Sequence, residues 1–172
     1  VLTAGTSRAE LWEHLLPAPL SRMLSVVKQN ATAHRDKEAY YCIDGLRAFL
    51  AILYSGCQFL PGTDLWSKDR RGMMPALDFG HIMSEDRFDR WFRYLGEGPP
   101  EDVCSEDPWA PIRWLITGHN DNRKANIDLG FKLVIDEAMW AWKSGAIPHI
   151  SWAKRKPEPF GLEIKNIVDA DS

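Results

Sequence analysis

The sequence predicts an α+β protein, mainly helical over residues 1–128 and strand-rich over residues 129–172. Three observations carry this expectation. Apolar residues recur at helical spacing in five stretches before residue 128, and capping residues, glycines and prolines bound those stretches. From Phe131 the apolar period changes from helical to alternating, the signature of a strand. With 172 residues, 45% of them hydrophobic and 11% aromatic, the chain can bury a core.

The elements follow in order. Thr6 or Ser7 with Glu10 reads as a capping box ahead of Leu11, Trp12, Leu15 and Leu16, a short helix stopped by Pro17. Pro19 opens a second helix through Leu20, Met23, Leu24 and Val27. The polar "QNATAHRDKEA" predicts its end and a solvated connection. Ile43, Leu46, Phe49, Leu50 and Leu53 predict a third helix ending at Gly56. Phe59 to Gly80, with two prolines and three glycines, reads as loop. "MSEDRFDRWFRYLG" is the clearest helix: Ser84 as N-cap, acids in the first turn, and Phe88, Trp91, Phe92 and Leu95 on one face before Gly96. "EGPPEDVCSEDPWAP" reads as a solvated acidic loop. Asp107 or Pro108 then starts a fifth helix, through Trp109, Ile112, Leu115 and Ile116, that fades at "TGHNDN". Phe131, Leu133 and Ile135 alternate with Lys132, Val134 and Asp136 in a strand that runs on toward Trp142, and "HISW" and "GLEIKNIVD" are two further strands.

Composition narrows function. A net charge of -3 and a pI near 6.0 leave no chain-wide field for a polyanion, so any nucleic-acid surface is a local patch. Cys42, Cys57 and Cys104 lack partners at ligand spacing, which points away from zinc or a disulfide framework and toward a reducing compartment. No apolar run reaches bilayer length and no signal-peptide pattern opens the chain, so no membrane partner is expected. The first residue, valine, raises the expectation of a fragment.

Asp136 stands out because a carboxylate among apolar strand residues costs free energy unless it is hydrated, paired or bound to a cation. On sequence chemistry alone the pattern favours a strand-end or turn acid touching solvent over a metal ligand. A magnesium site needs two or more carboxylates from separate elements, and this strand supplies one. Lys154, Arg155 and Lys156 beside Trp152, and Lys68, Arg70 and Arg71 near Trp66, can each hold phosphates or form a solvated loop. Arg87, Arg90 and Arg93 read as an exposed helix face paired with Asp86 and Asp89. His81, His119 and His149 lack partners at ligand spacing.

The order of "LVIDEAMWAWKSG" and "KPEPFGLEIKNIVDAD" resembles the start of the catalytic domain of piggyBac-type transposases, where "IDE" and "F-x-G-R" precede "Y-x-P-x-K-P-x-K-x-G-x-K" and a second strand ending in Asp. Upstream, "IDGLRAFLAILYSGCQFLPGTDLWS", "HIMSEDRFDRWFRYLG" and "DPWAPIRWLI" are similar to that family's helical region. The likeness runs over roughly residues 40–171. It implies a helical dimerisation and DNA-binding region over 1–128, then the first strands of an incomplete RNase H-like domain over 129–172. It assigns Asp136 as the first acid of an Asp-Asp-Asp triad and a ligand of catalytic Mg2+, and Lys143, Lys154, Arg155 and Lys156 to DNA. Glu137 matches a recurrent neighbour outside the triad. The family's Gly-Arg reads Gly145-Ala146 here, and two of its lysines fall on Pro159 and Glu163. The pattern places the other two acids beyond Ser172, so the expectation is a fragment of a metal-dependent DNA cut-and-paste transposase, inactive alone. It further implies a nuclear protein with DNA as partner and no small-molecule cofactor, and it leaves a homodimer open. The alternative is a domesticated, non-enzymatic DNA- or protein-binding module.

Overall fold

Five α-helices precede three β-strands in a computed structural model that describes residues 7–57, 64–68, 78–100, 106–107, 109–128, 130–141, 150–157 and 159–169, without the side chains of residues 140 and 141. The helices are α1 (Arg8–His14), α2 (Leu20–Ala33), α3 (Ile43–Gly56), α4 (Glu85–Gly96) and α5 (Ala110–Asn126). The strands are β1 (Leu133–Ala141), β2 (Ser151–Trp152) and β3 (Phe160–Asp169). The chain divides into two compact units, Val1–Arg123 and Lys124–Ser172.

In the first unit α2 packs against both α3 and α4. Trp91, Phe49, Met23, Leu46, Ile52 and Val27 are fully buried at the meeting point. Trp91 lies edge-on to Tyr41, with ring centroids 4.9 Å apart, and stacked on Phe49 at 6.0 Å. These rings supply the large apolar area that fixes three helices around one centre.

The capping box forms as expected. Ser7 Oγ accepts from Glu10 N–H at 3.2 Å, and the Glu10 carboxylate accepts from Ser7 N–H at 2.8 Å. Ser84 occupies the N-cap of α4, but its hydroxyl makes no capping bond there. The buried stripe of α4 is also shifted: Phe92 is exposed, and Tyr94 is buried instead. Tyr94 can go inside because its hydroxyl finds Asp36 Oδ2, which also accepts from the Tyr41 hydroxyl at 2.7 Å. The Tyr41 bond, above all, holds the Asp36 carboxyl below its ordinary pKa, and burial raises both phenols. Arg90 pairs with Asp86 and reaches Asp36 at 3.6 Å, so Asp36 takes the place expected of Asp89.

Two helices outrun their expected ends, and the reason is the same in both. α2 continues through Gln29 to Ala33 because Asn30 is buried there, its amide donating to the carbonyls of Tyr94 and Gly98, each at 2.8 Å. α5 continues through "TGHNDN" to Asn126. Gly118 lies so close to Pro17 that a Cβ would come within 2.1 Å of the Pro17 carbonyl oxygen. Asn122 donates to the carbonyls of His14 and Leu16 at 2.6 and 2.9 Å. Polar residues with poor helix propensity are held helical by tertiary hydrogen bonds, which outweigh propensity differences of under about 1 kcal/mol each.

The second unit is an antiparallel sheet of order β1-β3-β2. Leu133 pairs with Asp169, Ile135 with Ile167, Asp136 with Asn166, Glu137 with Lys165 and Ala138 with Ile164, and the short β2 sets Trp152 against Phe160. Directly opposed residues share a face. Leu133, Ile135 and Ile167 therefore form one apolar patch, Val134 and Val168 another, and all five side chains are exposed. With so little apolar area removed from water, the sheet is the less stable part. In hydrogen exchange, amides of Leu133–Ala141 and Phe160–Asp169 should exchange by local opening before those of Ile43–Gly56 and Glu85–Gly96. Equal protection factors in the two sets would show that the sheet closes a core of its own.

Candidate functional site

Asp136 sits in the middle of β1, an outer strand of the sheet, opposite Asn166 of the central strand. Its side chain is exposed, and its Oδ1 accepts from the N–H of Glu137 at 2.8 Å. That local bond fixes one oxygen and leaves the other toward water. The acid is therefore hydrated rather than buried, which removes the energetic puzzle the sequence poses.

Glu137 projects on the opposite face and gathers the basic turn between β2 and β3. Its carboxylate pairs with Arg155 at 3.2 Å, and its main-chain carbonyl accepts from Lys156 Nζ at 2.6 Å. Lys165 stands directly opposite on β3, and its ammonium lies 3.9 Å from Glu163. The turn is closed by the Ala153 N–H on the Pro159 carbonyl at 2.7 Å and the Lys156 N–H on the Ala153 carbonyl at 3.0 Å. Because both partners of the Arg155–Glu137 pair keep contact with water, the pair contributes at most about 1 kcal/mol. It is a weak tether.

Two of the three basic residues assigned from the turn are thus brought against the neighbour of Asp136. Lys154 is exposed and takes part in neither interaction. Lys143 lies outside the described residues, as do Arg70, Arg71 and His149. Trp66 is tied into the helical core, with its indole N–H on the Met83 carbonyl at 2.8 Å and its ring against Phe88. Arg87 donates to the Tyr40 carbonyl at 2.8 Å. The His81 ring meets the Asp78 carbonyl at 2.6 Å, and burial, with Arg123 nearby, lowers the pKa of His119. Asp169 accepts from the Gly130 N–H at 2.7 Å, at the end of the β1–β3 pair far from the basic turn.

Sequence reasoning missed the part played by Glu137. The signal was available only in the register, since nothing in the spacing places residues 155 and 156 beside residue 137. It also passed over Phe160, which the pairing of β2 with β3 sets beside Trp152.

The chain belongs to the DDE transposases. The family model that matches it, over residues 7–172, is described as Transposase IS4. No curated protein and no solved structure matches the chain. Membership in a transposase family implies DNA as a partner, and the DDE families use a divalent metal ion. The residues do not by themselves fit that ion: among those described, no three His, Cys, Asp or Glu side chains gather to hold a metal, and Asp136 offers one carboxylate. No helix among the described residues is long and apolar enough to cross a membrane.

Proposed function

We propose that this chain is the DNA-engaging first part of a piggyBac-like transposase, with Asp136 as the first acid of the catalytic triad and the β2–β3 turn as a phosphate-binding element. In this reading the three-stranded sheet is the beginning of an RNase H-like domain, and residues 1–128 are the dimerisation and DNA-binding region of a nuclear protein. One observation carries it: the turn bearing Lys154, Arg155 and Lys156 is seated on Glu137, the residue next to Asp136. The cations are held at Glu137, on the face opposite the Asp136 side chain, so they would hold a DNA phosphate at the turn itself while their field offsets part of the charge of the strand's acids. Lys143, ten residues after Leu133 in the same segment, belongs to the same proposed basic set. Family membership over residues 7–172 supports the transposase part of the reading. A magnesium ion needs further carboxylates besides Asp136, so the reading assigns no cleavage to the chain by itself.

The test is duplex DNA binding as a function of salt. Replacing Lys154, Arg155 and Lys156 with alanine should weaken binding, and the slope of log affinity against log salt should shrink by up to about 0.9 for each phosphate no longer neutralised. Asp136→Asn should not weaken binding, because it removes a negative charge from the residue next to the one that holds the turn. An unchanged slope in the triple variant moves the DNA-binding surface away from this turn.

A further inference from the structure

We infer that the paired aromatics at the foot of the basic turn, Trp152 and Phe160, form a stacking platform for unpaired bases of single-stranded DNA. Trp152 on β2 and Phe160 on β3 are directly opposed across the hairpin, so both rings rise from the same face. Trp152 is 70% exposed and Phe160 48% exposed. Neither ring packs on another aromatic ring among the described residues, unlike Trp12, Trp66 and Trp91, each of which has an aromatic partner. Two large aromatic surfaces held open to water cost hydrophobic free energy that burial would recover.

The seven residues between the two rings, Ala153 to Pro159, carry three cations and one acid. Arg155 and Lys156 are held by Glu137, and Lys154, two residues after Trp152 in the chain, is exposed. Aromatic faces at the base of a turn that carries three cations match a nucleotide strand in both of its parts, since bases can stack on the rings while the phosphates that follow meet the charges of the turn. A duplex offers no such match, because its base faces are covered by their neighbours and only unpaired bases present a free π surface. An apolar peptide would use the rings and leave the cations unanswered. The inference rests on the reading that this turn meets DNA phosphates, and it adds which form of DNA the turn prefers.

The experiment compares the full chain with Trp152→Ala, Trp152→Phe and Phe160→Leu for binding to a labelled oligo(dT) strand and to a duplex of equal length. The probe is DNA alone, without metal. Trp152→Ala should weaken oligo(dT) binding by roughly 5- to 150-fold, the range for removal of one base stack, with the salt slope unchanged. Trp152→Phe should restore most of the affinity, because it keeps a ring at the site. Phe160→Leu should weaken oligo(dT) binding too, and none of the three should alter duplex binding. Loss of oligo(dT) affinity that Trp152→Phe does not restore, or equal losses on strand and duplex, would overturn the platform. So would parental affinity in both Trp152→Ala and Phe160→Leu. If alanine at Lys154, Arg155 and Lys156 lowers the salt slope while the aromatic variants bind normally, the platform alone fails. If the basic variant also leaves the slope unchanged, the phosphate reading fails with it.

Discussion

Trp91→Ala should lower the stability of the helical unit by about 3–5 kcal/mol, the largest loss expected from a single truncation in this chain. The side chain is fully buried, and its ring touches Tyr41 on one side and Phe49 on the other. Removing it leaves a cavity among α2, α3 and α4 that their rigid packing cannot close. Trp91→Phe should cost much less than alanine. Among the described residues the buried indole nitrogen of Trp91 has no hydrogen-bond partner, so phenylalanine removes an unmatched polar group, worth about 1–3 kcal/mol, while it gives up volume. Urea unfolding followed by circular dichroism reads both changes as shifts of midpoint at constant slope. If Trp91→Ala cost under about 1 kcal/mol, the three helices would not share a common core at this ring.

Glycine-to-alanine substitutions should divide sharply by position, with Gly98→Ala the most damaging. Gly98 has φ of +71° just beyond α4, and an added Cβ would lie 2.1 Å from the Pro111 carbonyl oxygen. The left-handed conformation costs an L-residue about 1–2 kcal/mol, and relieving such a clash costs about 1–3 kcal/mol more. A loss of about 2–5 kcal/mol is therefore expected, read as a fall in melting temperature of roughly 10 °C. Gly118→Ala meets the Pro17 carbonyl at the same 2.1 Å but lies inside α5, where alanine regains up to about 1 kcal/mol of helix propensity. Its net loss should be smaller. Gly96→Ala, with nothing within 4 Å of the added carbon, should leave stability level or slightly raised. A Gly98→Ala protein as stable as Gly96→Ala would mean that the approach of Pro111 to the end of α4 does not exist in solution.

These contrasts show what the sequence could and could not disclose. The ends of α3 and α4 were legible because apolar spacing and glycine stops agree with one another, although the buried face of α4 was not, since Tyr94 goes inside in place of Phe92. The first strand was legible from its alternation, although that reading starts it at Phe131 and β1 begins at Leu133, and the basic, proline-containing stretch after Trp152 was legible as a connection between strands. The true ends of α2 and α5 were not, because Asn30 and Asn122 are held by carbonyls far away in the chain. A local reading can only score such residues as poor helix formers. Asp136 was visible as an acid out of place, but its neighbours in space were not. Arg155 and Lys156 reach Glu137 through a register that alternation leaves free to slide until pairing fixes it.

The buried amide of Asn30 also sets a clock on synthesis. Its acceptors, the carbonyls of Tyr94 and Gly98, lie 64 and 68 residues later in the chain. At roughly 5–20 residues per second, the ribosome makes Asn30 on the order of 3–14 s before the second acceptor exists. Throughout that interval α2 has an apolar stripe and no α4 to cover it. The nascent helix must wait in contact with water, a chaperone or the ribosome surface, and a pause between residues 56 and 85 would lengthen the wait. Slow codons in that interval should therefore lower the yield of folded protein more than slow codons placed after residue 98.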